Sequence, residues 1–421
     1  MLELDSDLEF SPVGNEEFFG RIPAAAAVCL VELRNDKAEP LLIRTQDLRR
    51  RLQRLLGPLD PTSKRLNLRD SARAVRYRLT GSKFEQALTY YHNAKQIFPK
   101  RYRDLLHLRP PVVLKVNLRN AYPRCYVTRR ISVDDAGVPI GGTYYGPFAS
   151  RRSAVAFADR ALDFFKVRRC QIKIRRDPTF PGCIYSEMKM CLAPCFAGCT
   201  ADEYGVEVER FVNFLETNGE SLQTRFEKER ERASEDLDFE RASAWHKKID
   251  KLDEVLRGRP ELVRRIQSLE AVILQRCAEK QTIGVYAVHG GKLAEPYFLR
   301  FGEIASQPRS AEQLFHKYLD TSGASTEPRT SLFADIEIHM GKTPVRGDNS
   351  SNAREQQASA SSSFATRARD DISDHLWLIA RWFYSNPREG EIFFREKDWP
   401  YRRLLGACSR LLAAREPAQN T

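Results

Sequence analysis

The residues of this chain best suited to metal chemistry are five of its nine cysteines, which lie close together in the sequence. They are Cys170, Cys183, Cys191, Cys195 and Cys199. Four thiolates can hold a tetrahedral zinc ion or an iron–sulfur cluster. The gaps are irregular and contain no C-x-x-C pair, the usual knuckle of a zinc ribbon. The first four are predicted to bind a metal ion or a cluster, and Cys199 is a spare ligand or a bystander. Buried thiols acting as small apolar side chains are the alternative.

The compartment expected for this protein favours a metal-binding role for the clustered cysteines over disulfide bonds. The sequence contains no apolar run of signal-peptide or membrane-span length, so we expect a cytoplasmic protein. Thiols stay reduced in the cytoplasm, and clustered cysteines there are more often metal ligands than disulfide partners.

The charge of the chain favours a polyanionic partner. The formal net charge is +12, which suits nucleic acid better than an acidic small molecule. Arginine is concentrated in the first part of the chain, for example in QDLRRRLQR at 46–54. Guanidinium groups match phosphate geometry, so this part of the chain is the expected phosphate-binding surface.

The arginine-rich segment belongs to a region with alternating strand and helix signals. The apolar run at 24–33 and the run PLLIRT flank the turn signal RNDK and predict a hairpin of two strands. Leucines at helical spacing between Gln46 and Gly57 predict an amphipathic helix. A second helix over 82–98 and later strands complete one predicted α/β unit at 21–165. An acidic, flexible segment at 1–20 is expected before it.

Helices are expected after the cysteine-rich segment, which spans 166–200. Two amphipathic stretches predict a helical hairpin within 201–257. Phe239, Trp245 and Ile249 would share one face of its second helix. A hairpin of this size buries little surface alone, so a docking partner is one interpretation. Packing on the rest of its own chain is the other.

The last part of the chain, 258–421, is predicted to be a small α+β region. SLEAVILQRC indicates a strand, TIGVYAVHGGKLAEPYFLRFGEI a hairpin and DISDHLWLIARWFYSNP a helix. A polar, low-complexity insertion at 347–368 is predicted to be disordered. The expected fold class is α/β overall, with a small α/β domain, a cysteine-rich segment, an α-helical hairpin and an α+β C-terminal region.

Three parts of the sequence resemble the bacterial UvrC family, the nuclease subunit of nucleotide excision repair. FFKVRRC, followed after a gap by CIYSEMKMCLAPC, resembles the cysteine segment of that family. YPRCYVTRRI and GTYYGPFASRRSA resemble the end of its amino-terminal nuclease domain. LQTRFEKERERASEDLDFERASAWHKKIDKLDEVL resembles its UVR helical hairpin. The resemblance covers about residues 20–300 and fades by about 395. We expect no counterpart here of the family's ribonuclease H-type nuclease and helix-hairpin-helix parts.

The resemblance implies a cofactor and a partner. The corresponding cysteines of the UvrC family bind an iron–sulfur cluster, so Cys170, Cys183, Cys191 and Cys195 are expected to hold a 4Fe–4S cluster, with zinc as the alternative. The UVR hairpin of the family pairs with the UvrB helicase subunit. The residues expected to bind a UvrB-like partner are Phe239, Glu240, Trp245 and Ile249.

The amino-terminal domain of the family is a GIY-YIG nuclease, and its catalytic positions can be aligned with this chain. Such a site needs a base, a cation for the phosphate and a carboxylate for a divalent metal. Ala26 and Leu41 take the positions of the two tyrosines, Ile43 that of the glycine, and Tyr91 that of the metal-binding glutamate. Only the helix arginine is retained, as Arg51. A protonated phenol cannot replace a carboxylate as a hard-metal ligand, so we expect catalysis to be lost.

These inferences lead to one main hypothesis and two alternatives. The main one is a UvrC-like DNA-repair protein that binds DNA through Arg44, Arg49, Arg54 and Arg51, docks a UvrB-like subunit and regulates incision. The first alternative is an active single-incision endonuclease that uses Mg²⁺ and displaced residues, namely Glu85, Tyr90, Tyr91 or His92. The second is a regulatory module that uses the hairpin for another partner and binds no DNA.

Overall fold

The computed structural model describes residues 2–13, 15–58, 65–134, 137–304, 310–323 and 371–413. These residues form a mixed α/β structure with three antiparallel sheets, which confirms the expected class. The predicted insertion at 347–368 lies outside the described residues. Within the described ranges, no helix combines the length and apolar character needed to cross a membrane.

The first sheet contains the predicted strand hairpin. Its strands, in the order in which they pair, are β1 (Ser6–Glu9), β4 (Ala72–Leu79), β2 (Ala27–Leu33) and β3 (Leu41–Thr45). Its helices are α1 (Asn15–Arg21), α2 (Leu48–Leu56), α3 (Lys83–Ile97) and α4 (Tyr102–Leu106). The Asp47 side chain caps α2 by accepting from the Arg50 amide, and the four leucines of α2 are all buried. One sheet face packs on α1 and α2, and the other packs on α3.

The N-terminal segment is not the flexible, loop-like element predicted for 1–20. Residues 6–9 add an edge strand to β4, and α1 follows. Phe10 and Phe19 are buried in the core below the sheet. Asp7 also forms an ion pair with Arg76 on β4 at 2.9 Å, so the acidic composition of this segment matches the arginines of the neighbouring strand.

The predicted unit at 21–165 comprises two sheets rather than one. The second sheet is built from β5 (Val112–Val116), β6 (Cys125–Thr128), β7 (Thr143–Phe148) and the short β8 (Arg264–Arg265). Helix α5 (Arg151–Leu162) begins with a capping box at Ser150 and Ser153 and packs on this sheet. The two sheets are separate because the inner face of the second sheet is buried against α5 and the later helices, in a core of its own.

The cysteine-rich segment has little regular structure, as predicted from its Pro, Gly and charge content. It contains the short helix α6 (Ile184–Glu187) and one 3₁₀ turn at Pro194–Phe196. Three long helices follow: α7 (Ala201–Glu216), α8 (Glu220–Glu235) and α9 (Phe239–Arg257). Helices α8 and α9 form the predicted hairpin, joined by a tight turn at Leu237 with φ of 56°.

The C-terminal region is a sheet covered on both faces. Its strands are β9 (Glu270–Arg276), β10 (Thr282–His289), β11 (Lys292–Leu293), β12 (Tyr297–Arg300) and β13 (Glu391–Phe394). Its helices are α10 (Phe301–Ile304), α11 (Ala311–Gly323), α12 (residues 371–383) and α13 (Tyr401–Ala413). Side chains alternate between the faces of β13: Ile392 and Phe394 face α12 and α3, whereas Phe393 faces α11 and α13.

Candidate nucleic-acid interface and cysteine segment

The residues that the sequence aligns with the family's nuclease positions lie just before β2, on β3 and on α2. Ala26 directly precedes β2, and its carbonyl accepts from the Thr80 amide at 2.9 Å. Leu41 pairs with Val31 across the two strands, and Ile43 pairs with Cys29. The apolar side chains of Ala26, Leu41 and Ile43 supply no hydroxyl that could act as a base or bind phosphate.

The arginines predicted to bind DNA have different surroundings. Arg49 is half-buried, and its Nε donates to the Ile22 carbonyl at 2.6 Å, which ties α2 to the chain before β2. Arg51 and Arg54 are exposed on α2. Arg44 is exposed on β3, with its guanidinium carbon 5.7 Å from the centre of the Tyr90 ring. The exposed arginines of this set are therefore Arg44, Arg51 and Arg54.

Tyr91, at the family's glutamate position, lies in a closed core. Its side chain is 1% exposed, and its ring centre is 5.9 Å from that of Tyr102 and 5.6 Å from that of His375 on α12. The Lys95 ammonium donates to its hydroxyl at 3.1 Å. Burial, with nearby Asp374 and Asp371, raises the pKa of Tyr91 well above its usual range. The phenol is therefore protonated, and the Lys95 ammonium lies beside it.

Helix α12 covers the side chain of Tyr91. The sequence alone assigned no function to this helix. It lies antiparallel to α3, because Asp371 pairs with Lys95 at 2.5 Å while Trp382 packs on Phe84 with ring centres 5.4 Å apart. Asp374 accepts from the Tyr102 hydroxyl at 2.7 Å and also pairs with Arg103.

His375 of α12 lies in the contact between this helix and the C-terminal sheet. Its Nδ1 accepts from the Leu293 amide at 3.1 Å, and burial lowers its pKa to about 3. The imidazole is therefore neutral at physiological pH and serves as a hydrogen-bond acceptor in the contact between α12 and the C-terminal sheet.

The displaced residues considered as substitute catalysts do not form an open site. Glu85 is 4% exposed, and its carboxylate accepts from the Gly81 amide at 2.7 Å. Burial raises the pKa of Glu85 to about 7. Tyr90 is buried, and its hydroxyl faces the Leu42 carbonyl at 3.5 Å. His92 contacts Glu3 at 2.8 Å. These contacts are structural, and they leave no carboxylate free to meet Mg²⁺.

The cysteine segment brings four of its thiols into one neighbourhood. Burial, with smaller contributions from charge repulsion by the thiols of Cys170, Cys195 and Cys183, raises the pKa of Cys191 to about 11. The Ala193 amide opposes this by donating to the Cys191 sulfur at 3.3 Å. Burial also raises the pKa of Cys195 and of Cys199. All nine cysteines are free thiols in the structure.

A buried arginine anchors the start of this segment to the second sheet. Arg168 is 4% exposed, and its guanidinium donates to the carbonyls of Tyr122 and Ile172, each at 2.9 Å. The same group lies 3.7 Å from the Cys170 sulfur. A guanidinium in this position would stabilise a thiolate at Cys170.

The four cysteines are of a type that can bind a metal as thiolates, and they lie in the same part of the structure. Their sulfur atoms do not surround a single point. Within the described residues, no group of three or more His, Cys, Asp or Glu side chains is arranged to hold a metal ion. Metal binding would have to draw the thiols together and displace the protons that the raised pKa values of Cys191 and Cys195 favour.

The helical hairpin packs on its own chain at its base and is exposed at its tip. Ile249 is buried, and Trp245 is half-buried against Phe226, with ring centres 5.4 Å apart. Of the four residues expected to bind a partner, only Phe239 and Glu240 are exposed. The exposed fractions of Phe239 and its neighbour Leu237 are both 71%. Ile249 contributes to the core rather than to a docking surface, because the base of the hairpin lies against α5 and α7.

Comparison with known proteins points to one family. Residues 112–214 match the family described as "UvrC/Cho excinuclease, middle domain". This range begins at β5, contains the second sheet up to β7, and includes the whole cysteine segment and most of α7. The match thus joins the second sheet and the cysteines in one domain, which agrees with their shared core.

Several curated relatives are named "UvrABC system protein C". The protein from Trichlorobacter lovleyi is 26% identical over 251 residues, which cover 60% of this chain and 40% of the relative. The protein from Carboxydothermus hydrogenoformans is 26% identical over 277 residues, which cover 64% of this chain and 44% of the relative. The protein from Chlamydia caviae is 22% identical over 388 residues, which cover 90% of this chain and 62% of the relative.

The chain spans between 40% and 62% of the length of these three relatives. No solved structure matches it. The middle-domain match and the low-identity relatives together support a relationship to the UvrC family.

Proposed function

We propose that this protein acts in the cytoplasm in or alongside nucleotide excision repair, as a UvrC-like protein that binds DNA and a UvrB-like subunit without cutting DNA. The observation that supports this most directly is the match of residues 112–214 to the UvrC/Cho middle domain. The hairpin of α8 and α9 follows this domain at once, as expected for a UVR hairpin. The protein would thus serve as an adaptor or regulator of incision.

The loss of catalysis is supported by the surroundings of Tyr91. A metal-binding carboxylate of a nuclease must face a space that phosphate and a hydrated cation can enter. Here that position is enclosed by Tyr102, His375 and α12, and Lys95 adds a positive charge beside it. The first-sheet domain would keep its nuclease-like architecture for binding alone.

The DNA-binding surface is proposed to include Arg44, Arg51 and Arg54. All three are exposed, and arginine contacts phosphate through paired donors. Contacts of this type release counterions from DNA, so the affinity should fall steeply as the salt concentration rises. Salt-insensitive binding would instead point to a protein partner.

The four neighbouring thiols are proposed to hold a 4Fe–4S cluster. The ligands would be Cys170, Cys183, Cys191 and Cys195, with Arg168 and the Ala193 amide stabilising two of the thiolates. When bound, such a cluster supplies one-electron redox chemistry or a rigid cross-link between loops. Protein purified without oxygen should then be brown and absorb near roughly 400 nm. Colourless protein with one zinc per chain would replace iron by zinc and keep the ligands.

The tip of the hairpin is proposed to dock a UvrB-like helicase subunit. Leu237 and Phe239 are large apolar side chains exposed side by side, and the turn between α8 and α9 holds them at the end of two helices. Phe239→Ala should abolish pull-down of UvrB. The control is Val206→Ala, because Val206 is another exposed apolar residue, 57% exposed on α7. Equal retention of UvrB by both variants would disprove docking at the tip.

The decisive experiment is a nicking and binding assay on a lesion-bearing DNA duplex. Anaerobically purified protein is incubated with Mg²⁺, with and without UvrB. We expect salt-sensitive binding and no incision. A Mg²⁺-dependent nick that disappears in Arg51→Ala would establish an active nuclease and overturn the proposal. Absence of DNA binding would leave the hairpin as a protein-docking module.

A further inference from the structure

One positively charged site in the structure joins two distant parts of the chain. Arg44 lies on β3 of the first sheet, and Arg381 lies on α12 of the C-terminal region. Both side chains are exposed. The family match ends at residue 214, so it assigns nothing to α12.

Arg381 is brought near Arg44 because α12 lies along α3. The pairing of Asp371 with Lys95 and the packing of Trp382 on Phe84 fix the two helices antiparallel. In this register Trp377, whose ring carries the Arg381 guanidinium, lies level with Tyr90 of α3, whose ring carries the Arg44 guanidinium. Burial lowers the pKa of the Arg381 guanidinium, and the positive charge of Arg44 lowers it further.

Each guanidinium is also held in position by an aromatic ring. The Arg381 guanidinium carbon is 5.0 Å from the centre of the Trp377 ring, one helical turn earlier, and Arg44 is held in the same way by Tyr90. A ring contact limits the orientation of a guanidinium and leaves its N–H groups available. The two side chains are thus partly ordered before any ligand arrives.

The repulsion between these two cations is not relieved by nearby carboxylates. Asp371 pairs with Lys95, Asp374 with Arg103, and Glu389 with Lys83. In the described part of the chain, neither Arg44 nor Arg381 forms an ion pair. Two neighbouring guanidiniums without a counter-charge offer a site whose complement is an anion with several acceptor oxygens.

We infer that Arg44 and Arg381 together bind one phosphate of the DNA backbone, so that α12 closes the former metal position and at the same time extends the phosphate-binding surface. This inference rests on the proposed function and adds a residue that lies outside the nuclease-like domain. Phosphodiester oxygens suit paired guanidiniums, and the net charge of +12 favours DNA over an acidic protein as the partner. An acidic protein partner is one outcome of the test.

The test measures binding of the full chain to a short labelled duplex by fluorescence anisotropy, between about 50 and 200 mM salt. The variants are Arg44→Gln, Arg381→Gln, the double variant and Arg403→Gln. Arg403 is the matched control, because it is also exposed and lies 5.5 Å from an aromatic ring centre, that of Phe393, on the opposite face of the C-terminal sheet. Arg403→Gln removes the same charge from a similar setting.

We expect Arg381→Gln and Arg44→Gln each to weaken binding about tenfold, as loss of one charge-assisted contact would. Each should reduce the salt dependence of log K by about 0.9, the contribution of one phosphate. Because both arginines share one phosphate, the double variant should reduce it by about the same amount and not by twice as much. Arg381→Lys should restore the salt dependence but only part of the affinity, since the planar paired donors are lost.

Three results would overturn the inference. Equal effects of Arg381→Gln and Arg403→Gln would show that only net charge matters. Unchanged DNA binding by Arg381→Gln, with reduced binding of a polyglutamate probe, would assign the site to an acidic protein. An unmodified chain with no salt-sensitive DNA binding would overturn the proposed DNA function together with this site. Unchanged far-UV circular dichroism of Arg381→Gln, expected for an exposed residue, confirms that the variant is folded.

Discussion

Glu85 offers a direct test of whether the displaced residues near α3 are structural or catalytic. The perturbation is Glu85→Gln, which removes the ionisable group and keeps an oxygen that can accept from the Gly81 amide. In the folded protein, burial raises the pKa of Glu85 from its usual 4.5 to about 7. Because the folded state holds this proton to a higher pH than the unfolded chain does, protonation favours folding. That contribution is complete below pH 4.5 and is lost as the pH rises toward 7.

The magnitude follows from the difference between the two pKa values. Each pKa unit corresponds to about 1.4 kcal/mol, so ionised Glu85 costs about 3 kcal/mol of folding free energy at alkaline pH. Most of this cost develops between about pH 5 and about pH 8. Glu85→Gln should therefore gain about 2 to 3 kcal/mol of stability relative to the unmodified protein over that interval.

The assay is parallel urea unfolding of both proteins at the two pH values. The control is Glu203→Gln, because Glu203 occupies the same N3 position in α7 but is exposed. A pH-independent difference for Glu85→Gln, or an equal pH-dependent gain in the control, would refute the reasoning. If Glu85→Gln instead abolished a Mg²⁺-dependent nick, the carboxylate would be catalytic and the active-endonuclease alternative would stand.

Three further predictions test the other parts of the protein. Tyr91→Glu installs the residue that the resemblance to the UvrC family implies at this position, but it should not produce plasmid nicking. It should lower the free energy of unfolding by about 3 to 5 kcal/mol, because a buried aromatic ring is lost and a carboxylate is buried near Asp374 and Asp371. Mg²⁺-dependent cleavage by this variant would show that the position is open. Trp245→Ala should lower the free energy of unfolding, measured in urea, by about 2 kcal/mol, because the contact of the half-buried indole with Phe226 is lost. Phe239→Ala at the exposed tip should leave stability unchanged. Equal losses in the two variants would mean that the tip is packed. Cys191→Ser should remove bound iron, measured by metal analysis, together with the visible absorbance. Cys408→Ser should retain both. Retention of iron in Cys191→Ser would exclude Cys191 as a ligand.

Local features of the fold were predictable because they depend on neighbours in the sequence. The leucine spacing of α2, with Asp47 before it and Gly57 after it, specifies an amphipathic helix and both of its ends. The strand hairpin of β2 and β3 follows from two apolar runs around one turn. The hairpin of α8 and α9 follows from two amphipathic stretches that meet at Leu237.

The sequence also identified residue types at the candidate site, but not their surroundings. It located Cys170 to Cys195 as possible ligands and Tyr91 as the replacement for a carboxylate. It did not distinguish Arg49, whose donor is used within the fold, from Arg44, whose donors are exposed. Both are arginines in one basic segment, and only the direction of each side chain separates them.

The sequence by itself determined most of the helices and strands and the close spacing of the five cysteines, and it predicted the loss of the nuclease residues. Only the tertiary structure decided that α12 covers Tyr91 and brings Arg381 to Arg44. The contact between Lys95 and Asp371 joins residues 276 positions apart. Periodicity and capping act over a few residues, whereas the pairing of α12 with α3 depends on how two cores bury their apolar faces together.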